Sequence, residues 1–280
     1  MKMPKASSPI LQIAKYTLAD DIRQKSFIVM GVVCALAILS VRGCYSGQVM
    51  MNGRMLDAGS VIQVMSQVMF HLIALGSMFL AALLSMRVMK RDRDEGMQSA
   101  ILSKPITRKQ YVAGKVLGLW ILAALFMIVL HGLVFVVASA SLGHLLPQYL
   151  AASLVCFLNL LFVVLACLLL SLLMPDVMAF LSVTGIGIVS FVADGIFSFF
   201  HSSLGQAMLQ PSGSPPDLGG WKLFYRLWPQ ISGTERFASS LPAWEGFPGW
   251  AAFYPLVNIF AYIVILGALL FWRFDREDIV

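Results

Sequence analysis

Charge is what this chain has least of. Of its 280 residues only 12% are Asp, Glu, Lys or Arg, against 59% apolar residues and a mean hydropathy of +0.83. A soluble domain carries about 25% charged and roughly 45–50% apolar residues, so a soluble globular class is excluded and an integral membrane protein is expected. Cysteine is scarce too. Cys34, Cys44, Cys156 and Cys167 form no Cys-x-x-Cys pair and mostly lie inside apolar runs, so they read as small core residues rather than disulfides or metal ligands. The phosphate-wrapping G-x-x-x-x-G-K-[ST] loop is missing, since Gly114-Lys115 is followed by Val116. So are the H-E-x-x-H zinc helix and the G-x-S-x-G elbow. The expectation is a chain that is not an enzyme by itself and binds no nucleotide, cofactor or metal of its own. No internal repeat, low-complexity tract or heptad pattern appears, and one membrane domain covers residues 1–280.

Apolar runs are what the chain has instead. Six stretches, 26–44, 61–86, 112–140, 149–174, 177–200 and 252–272, approach or exceed the ~20 residues that cross a bilayer. The fourth and fifth are separated only by Met174-Pro175-Asp176 and are expected to form a tight hairpin. No signal-peptide cleavage site precedes the first run, which is read as a retained span. Ahead of it, residues 10–25 place Ile10, Ala14, Leu18 and Ile22 on one stripe with Leu11 beside it, the pattern of a helix lying on a membrane surface. The fold class expected is all-α, with six transmembrane helices and an N-terminal interfacial helix over 1–25.

The net charge of +6 is concentrated in segments beside the spans, which points to orientation in a bilayer and not to nucleic acid. Fifteen Lys and Arg fall on the side shared by the N-terminus, residues 87–115 and the C-terminus; five fall on the other. By the positive-inside rule both termini and the 87–115 segment are cytoplasmic. That segment alone holds eight basic residues, from Arg87 to Lys115. Asp92, Asp94 and Glu95 supply negative charge where a short helix would begin, and Met97, Ala100 and Ile101 give it an apolar face. Pro105 stops it, and the Thr107/Gln110 capping-box spacing restarts a helix at Arg108. A charged elbow on two spans is a shape for touching something in the cytoplasm.

The last loop, 201–251, lies on the opposite side and is rich in Pro and Gly. Trp221, Phe224, Tyr225 and Trp228 recur at helical spacing, predicting a short interfacial helix in a loop that gates, docks a partner or simply covers the helix ends. Residues 233–241 offer a second short helix capped by Thr234. Within the spans, Asp194 is the costliest residue, since a charge at membrane depth costs about 2.5–3.5 kcal/mol. It lines a substrate path or pairs with His201 or a loop cation. His71, His131 and Asn159 are further path candidates, with helix-to-helix hydrogen bonding as the structural alternative, which also suits Asn258. Gly185 and Gly187 beside Thr184 suit close packing or a dimer seam. Met50, Met51 and Met55 would suit Cu(I), but in a chain with 16 Met such clustering arises by chance.

The order of parts resembles the ABC-2 type permeases, the membrane subunits of ATP-binding-cassette exporters. Their elbow pattern is met here by Asp94-Glu95-Gly96, Leu102, Pro105-Ile106-Thr107-Arg108 and Gly114-Lys115, and their charged tail by Phe274-Asp275-Arg276-Glu277-Asp278. The family often has Thr where this chain has Met97. Leu102-Ser103-Lys104-Pro105 looks most like the branch linked to maturation of copper enzymes such as nitrous-oxide reductase.

The resemblance implies a coupling helix in which Asp94, Glu95, Gly96, Leu102, Lys104, Pro105 and Arg108 contact a separate cytoplasmic ABC ATPase that holds ATP and Mg. Lys115 would anchor the third span at the interface. It also implies a second permease copy, surrounding lipid, a periplasmic protein docking at 201–251 and a prokaryotic inner-membrane location. Two other readings fit the residues: a scaffold for an extracytoplasmic enzyme, and a stand-alone proton-coupled transporter using Asp194.

Overall fold

The computed structural model describes residues 8–23, 25–40, 50–51, 54–55, 58–97, 103, 106–143, 145, 147–201, 219–241 and 249–276. Apart from a two-residue antiparallel ladder, Met50–Met51 with Arg54–Met55, the regular elements among them are helices. They are α1 (Pro9–Ile22), α2 (Lys25–Ser40), α3 (Ala58–Asp94), α4 (Arg108–Leu142), α5 (Pro147–Val155), α6 (Phe157–Ser171), α7 (Asp176–His201), α8 (Gly219–Leu227), α9 (Ile231–Ser240) and α10 (Tyr254–Asp275), the last entered through a 3-10 turn at Trp250–Phe253.

Among the described residues, five helical segments are long and apolar enough to span a membrane: α3, α4, α5 with α6, α7 and α10. A sixth path exists if α1 and α2, bent by 71°, count as one. With 16 residues α2 is shorter than the predicted 26–44 run, whose residues 41–44 lie outside the described ones. The 149–174 run is interrupted at Cys156, where α5 ends and α6 begins. The expected hairpin is present, with a turn through Leu173 and Met174 and α7 starting at Asp176.

The hub is α6. It is apolar on every side, and a helix of that kind is stable only when surrounded. Leu160, Phe162 and every residue from Val163 to Leu169 are buried, and α3, α4, α5, α7 and α10 all pack on it. Its carbonyl at Phe157 accepts from Trp120 Nε1 at 3.0 Å, and Cys167 donates its thiol to the Ala82 carbonyl at 3.3 Å. With 37 residues α3 is about 55 Å long at 1.5 Å per residue, so it overruns the hydrocarbon and carries charged residues beyond it.

The N-terminal helix packs on α4 more extensively than any other helix pair does. A close approach makes that possible. A Cβ on Gly114 would lie 2.7 Å from Ile13 Cβ, and one on Gly118 would lie 2.9 Å from the Ala14 carbonyl oxygen. The Gly114-x-x-x-Gly118 pair therefore forms a slot that only hydrogen side chains leave open. The face α1 turns inward is Ile13, Ala14, Thr17 and Asp21; Leu11 and Ile22 of the predicted stripe stay exposed. This is a correction of about one residue in phase, imposed by the slot.

Candidate functional site

Two polar assemblies sit at opposite ends of the bundle. The first is the elbow. Helix α3 does not stop at membrane depth but continues to Asp94, followed by Glu95 and by Gly96, whose φ of 66° is a left-handed turn suited to glycine. Asp92 and Asp94 therefore fall in the last turn of α3, and Met97, directly after the turn, is helical again. Thr107 caps α4 as expected: its Oγ1 accepts from the Gln110 amide at 3.3 Å, and the Gln110 side chain accepts from the Thr107 amide at 3.0 Å. Of the residues read as the ATPase contact, Asp94, Glu95 and Gly96 are exposed, Arg108 is half-buried, and Leu102, Lys104 and Pro105 lie outside the described residues.

Three joints brace this elbow. In the first, Arg91 reaches α1, with its Nη2 2.6 Å from Asp20 and 3.3 Å from Asp21. In the second, fully buried Asp92 holds Lys115 Nζ at 2.6 Å, and the Tyr111 hydroxyl donates to the same carboxylate oxygen. Lys115 is only 4% exposed, so it does not anchor α4 at an interface; it neutralises a buried carboxylate. The family's Gly-Lys pair thus has two separate jobs here: Gly114 admits α1 and Lys115 closes the α3–α4 joint. In the third, Arg108 Nη1 donates to the Asp275 carbonyl at 3.1 Å and Lys109 lies 3.4 Å from the Asp275 carboxylate. Phe274 stacks on Tyr111 with centroids 5.8 Å apart. A hollow of about 470 Å³ remains between α1 and the elbow, lined by Gln12, Tyr16, Asp20, Met97 and Ile106 among others.

The second assembly is the loop end. Helix α9 begins at Ile231, three residues before the cap that the sequence suggested; Thr234 is inside its first turn and donates to the Gln230 carbonyl at 2.9 Å. The helix is tucked among α3, α5, α7 and α10, and Asn159 donates to its first carbonyl, Ile231, at 3.0 Å. Asp194 is tied down from three directions: Arg236 Nη2 at 2.6 Å, the Tyr225 hydroxyl at 2.7 Å and the Ser232 hydroxyl at 2.9 Å. The loop cation that the sequence left open is thus Arg236, while the side chain of His201 is outside the described residues. Burial and the Asp194 carboxylate push the Tyr225 phenol up to about 12, so it stays a donor.

The predicted aromatic helix exists as α8, but its aromatics divide. Tyr225 stacks flat on Phe197, and Trp228 donates to the Ile186 carbonyl at 3.4 Å. Phe224 packs beside Trp228, and exposed Leu223 and Leu227 form the outward face. The Trp221 side chain is outside the described residues. Asn258 accepts from the Gln230 amide and donates to the Arg226 carbonyl, both at 3.0 Å. His131 is buried, stacked on Phe70 at 4.8 Å. His71 faces Glu235, with 3.6 Å between Nδ1 and Oε2. Of the path candidates, Asp194 is thus paired with Arg236, Asn159 holds the Ile231 carbonyl, and His71 meets an acid. Glu235 was missed because nothing in a polar loop announces a residue that is carried inside the bundle.

An all-α, multi-pass membrane domain with a braced charged elbow and a tucked-in loop helix is the class these features define. The family model described as ABC-2 family transporter protein matches residues 11–279, and the chain belongs to that family. It is thereby the membrane component of an ABC transporter. No curated protein matches the chain.

Proposed function

We propose that this chain is the permease subunit of an ABC exporter in a prokaryotic inner membrane, driven by a separate cytoplasmic ATPase that binds ATP and Mg. The elbow faces the cytoplasm with both termini, and the 201–251 loop faces the opposite side. The observation that carries this reading is the bracing of the elbow. Exposed Asp94 and Glu95 offer a charged contact, while Arg91 and Asp92 tie the end of α3 to α1 and α4, and Arg108 at the start of α4 ties α4 to α10. A push at Glu95 is therefore delivered to three helices at once, as a rigid-body switch between discrete packings requires. Arg108 serves here as a clamp on the C-terminal helix as well as a residue of the family pattern.

Two copies would face each other around the path, with α7 and α10 offering exposed apolar residues such as Ile188, Val192, Val257 and Phe260 to lipid or to the second copy. The likeness of Leu102-Ser103-Lys104-Pro105 to the copper-enzyme branch extends the reading to maturation of an extracytoplasmic enzyme docked on the α8 face. The Asp194 transporter reading is disfavoured, because Arg236 already neutralises that carboxylate at 2.6 Å. A photo-cross-linking residue at Glu95 tests the proposal in native membranes. The expected product is a cross-link to a Walker A protein from Glu95 and none from Leu223. A cross-link to that protein from Leu223 and not from Glu95 would reverse the orientation and remove the coupling role.

A further inference from the structure

Glu235 presents an electrostatic problem that nothing assigned so far resolves. Its residue is 0% exposed, and neither carboxylate oxygen has a hydrogen-bond partner among the described residues. Buried carboxyls that lack partners neutralise or pair, because an isolated ionised group in a low-dielectric interior is very costly. Among the described residues, the basic group paired with it is His71 on α3. Its Nδ1 is 3.6 Å from Oε2, beyond hydrogen-bond length, and its side chain is 40% exposed while that of Glu235 is 1% exposed.

The other titratable groups around α9 are Arg236, Tyr225, Tyr254, Tyr149 and Cys156, of which Cys156 is near enough to feel the Glu235 charge. Arg236 on α9 itself is exposed and turned to Asp194 of α7. Tyr225 of α8 donates to that same carboxylate. Tyr254 of α10 donates to the Arg226 carbonyl. Tyr149 of α5 packs edge-on against Phe70 and His131, and Cys156, at the end of α5, is a buried free thiol.

We propose that Glu235 and His71 form a proton-binding site that ties the seating of α9 in the bundle to the pH at the loop end. The pair holds one proton, either on Glu235 Oε2 beside a neutral imidazole or on His71 Nδ1 beside a carboxylate. Transfer between them moves that proton across the 3.6 Å gap and leaves the net charge of the site unchanged. Half-exposed His71 is the entry by which a proton reaches the sealed carboxylate. Loss of the proton leaves one uncompensated negative charge under α9, which relaxes if α9 lifts and water reaches Glu235. Gly233 lets α9 sit close to the start of α10, since a Cβ there would lie 3.2 Å from the Pro255 side chain.

The sign of the pH dependence follows from the direction of the Glu235 shift. Burial raises its carboxyl above the ordinary 4.5, with His71 opposing in part. A group whose pKa is raised in the seated state stabilises that state fully below the unseated value, and the contribution is lost as pH rises through the seated value. The test is hydrogen exchange of α9 backbone amides by mass spectrometry, on the full chain in nanodiscs, from about pH 4.5 to about pH 8. Both faces meet the same pH there, so the outcome is independent of the orientation and coupling proposed above.

After correction for intrinsic exchange chemistry and reference to buried α6, protection of α9 is expected to fall as pH rises, by up to about tenfold per pH unit. Glu235→Gln, which is neutral and of the same shape, is expected to keep α9 protected and flat with pH. His71→Gln is expected to move the midpoint. A wild-type profile that is flat after correction, a Glu235→Gln profile that keeps the wild-type slope, or a His71→Gln midpoint equal to wild type would overturn the shared site.

Discussion

At Asp92 and Lys115 two opposite charges are out of water and 2.6 Å apart, with Tyr111 donating to the same oxygen. Such a pair adds little net stability over an apolar replacement, but removing one partner strands the other and costs about 3–5 kcal/mol. Lys115→Met is therefore expected to lower the melting temperature of the purified chain sharply, and Asp92→Leu with Lys115→Met to recover most of the loss. Scanning fluorimetry in detergent checks this; equal destabilisation in the single and double variants would mean that the charges do not pair. Lys115 looked like an interface anchor and Asp92 like a helix-start charge in the sequence, because a charge beside an apolar run carries no mark of whether the partner helix covers it. The same blindness hid Glu235, whose imidazole lies on a helix far away along the chain. Asp194 was legible as unusual, and its loop cation was anticipated in kind but not as Arg236.

At the scale of elements, helix existence was readable and helix phase was not. Apolar length located α3, α4, α7 and α10, and the Thr107–Gln110 spacing located the start of α4 to the residue. The interruption at Cys156 was invisible, since the run stays apolar through it. The inward face of α1 was misphased because hydrophobicity ranks Ile22 above Thr17 and Asp21, whereas the Gly114–Gly118 slot selects by size and Arg91 selects Asp21 by charge. Gly118→Ala tests the slot. Its added methyl meets backbone, the Ala14 carbonyl oxygen, which a rotamer change cannot clear. Overpacking of this kind costs about 1–3 kcal/mol, so α1 is expected to loosen and trypsin to cut at exposed Arg23 several-fold faster than in the wild type. An unchanged cleavage rate would show that α1 does not depend on the close approach.

At the scale of the whole molecule, the bundle connects two polar ends through a dry hub. Helix α6 has no charged residue and fixes α3, α4, α7 and α10 around itself. The α3 helix runs from the Asp92 joint at one end to His71, under α9, toward the other, so the elbow and the Glu235 site share one rigid element. The elbow of this ABC-2 family chain is exposed at Asp94 and Glu95 and braced by Arg91, Asp92 and Arg108.

The most direct measurement is purification of the tagged chain from its native membranes in mild detergent, with the co-purifying proteins identified and quantified by mass spectrometry. The expected result is a stoichiometric Walker A ATPase with the wild type, lost with Glu95→Lys and kept with Lys115→Met together with Asp92→Leu, both variants remaining inserted. An ATPase retained in full by Glu95→Lys, or none retained by the wild type in several detergents, would contradict the elbow as the site where this permease receives its drive.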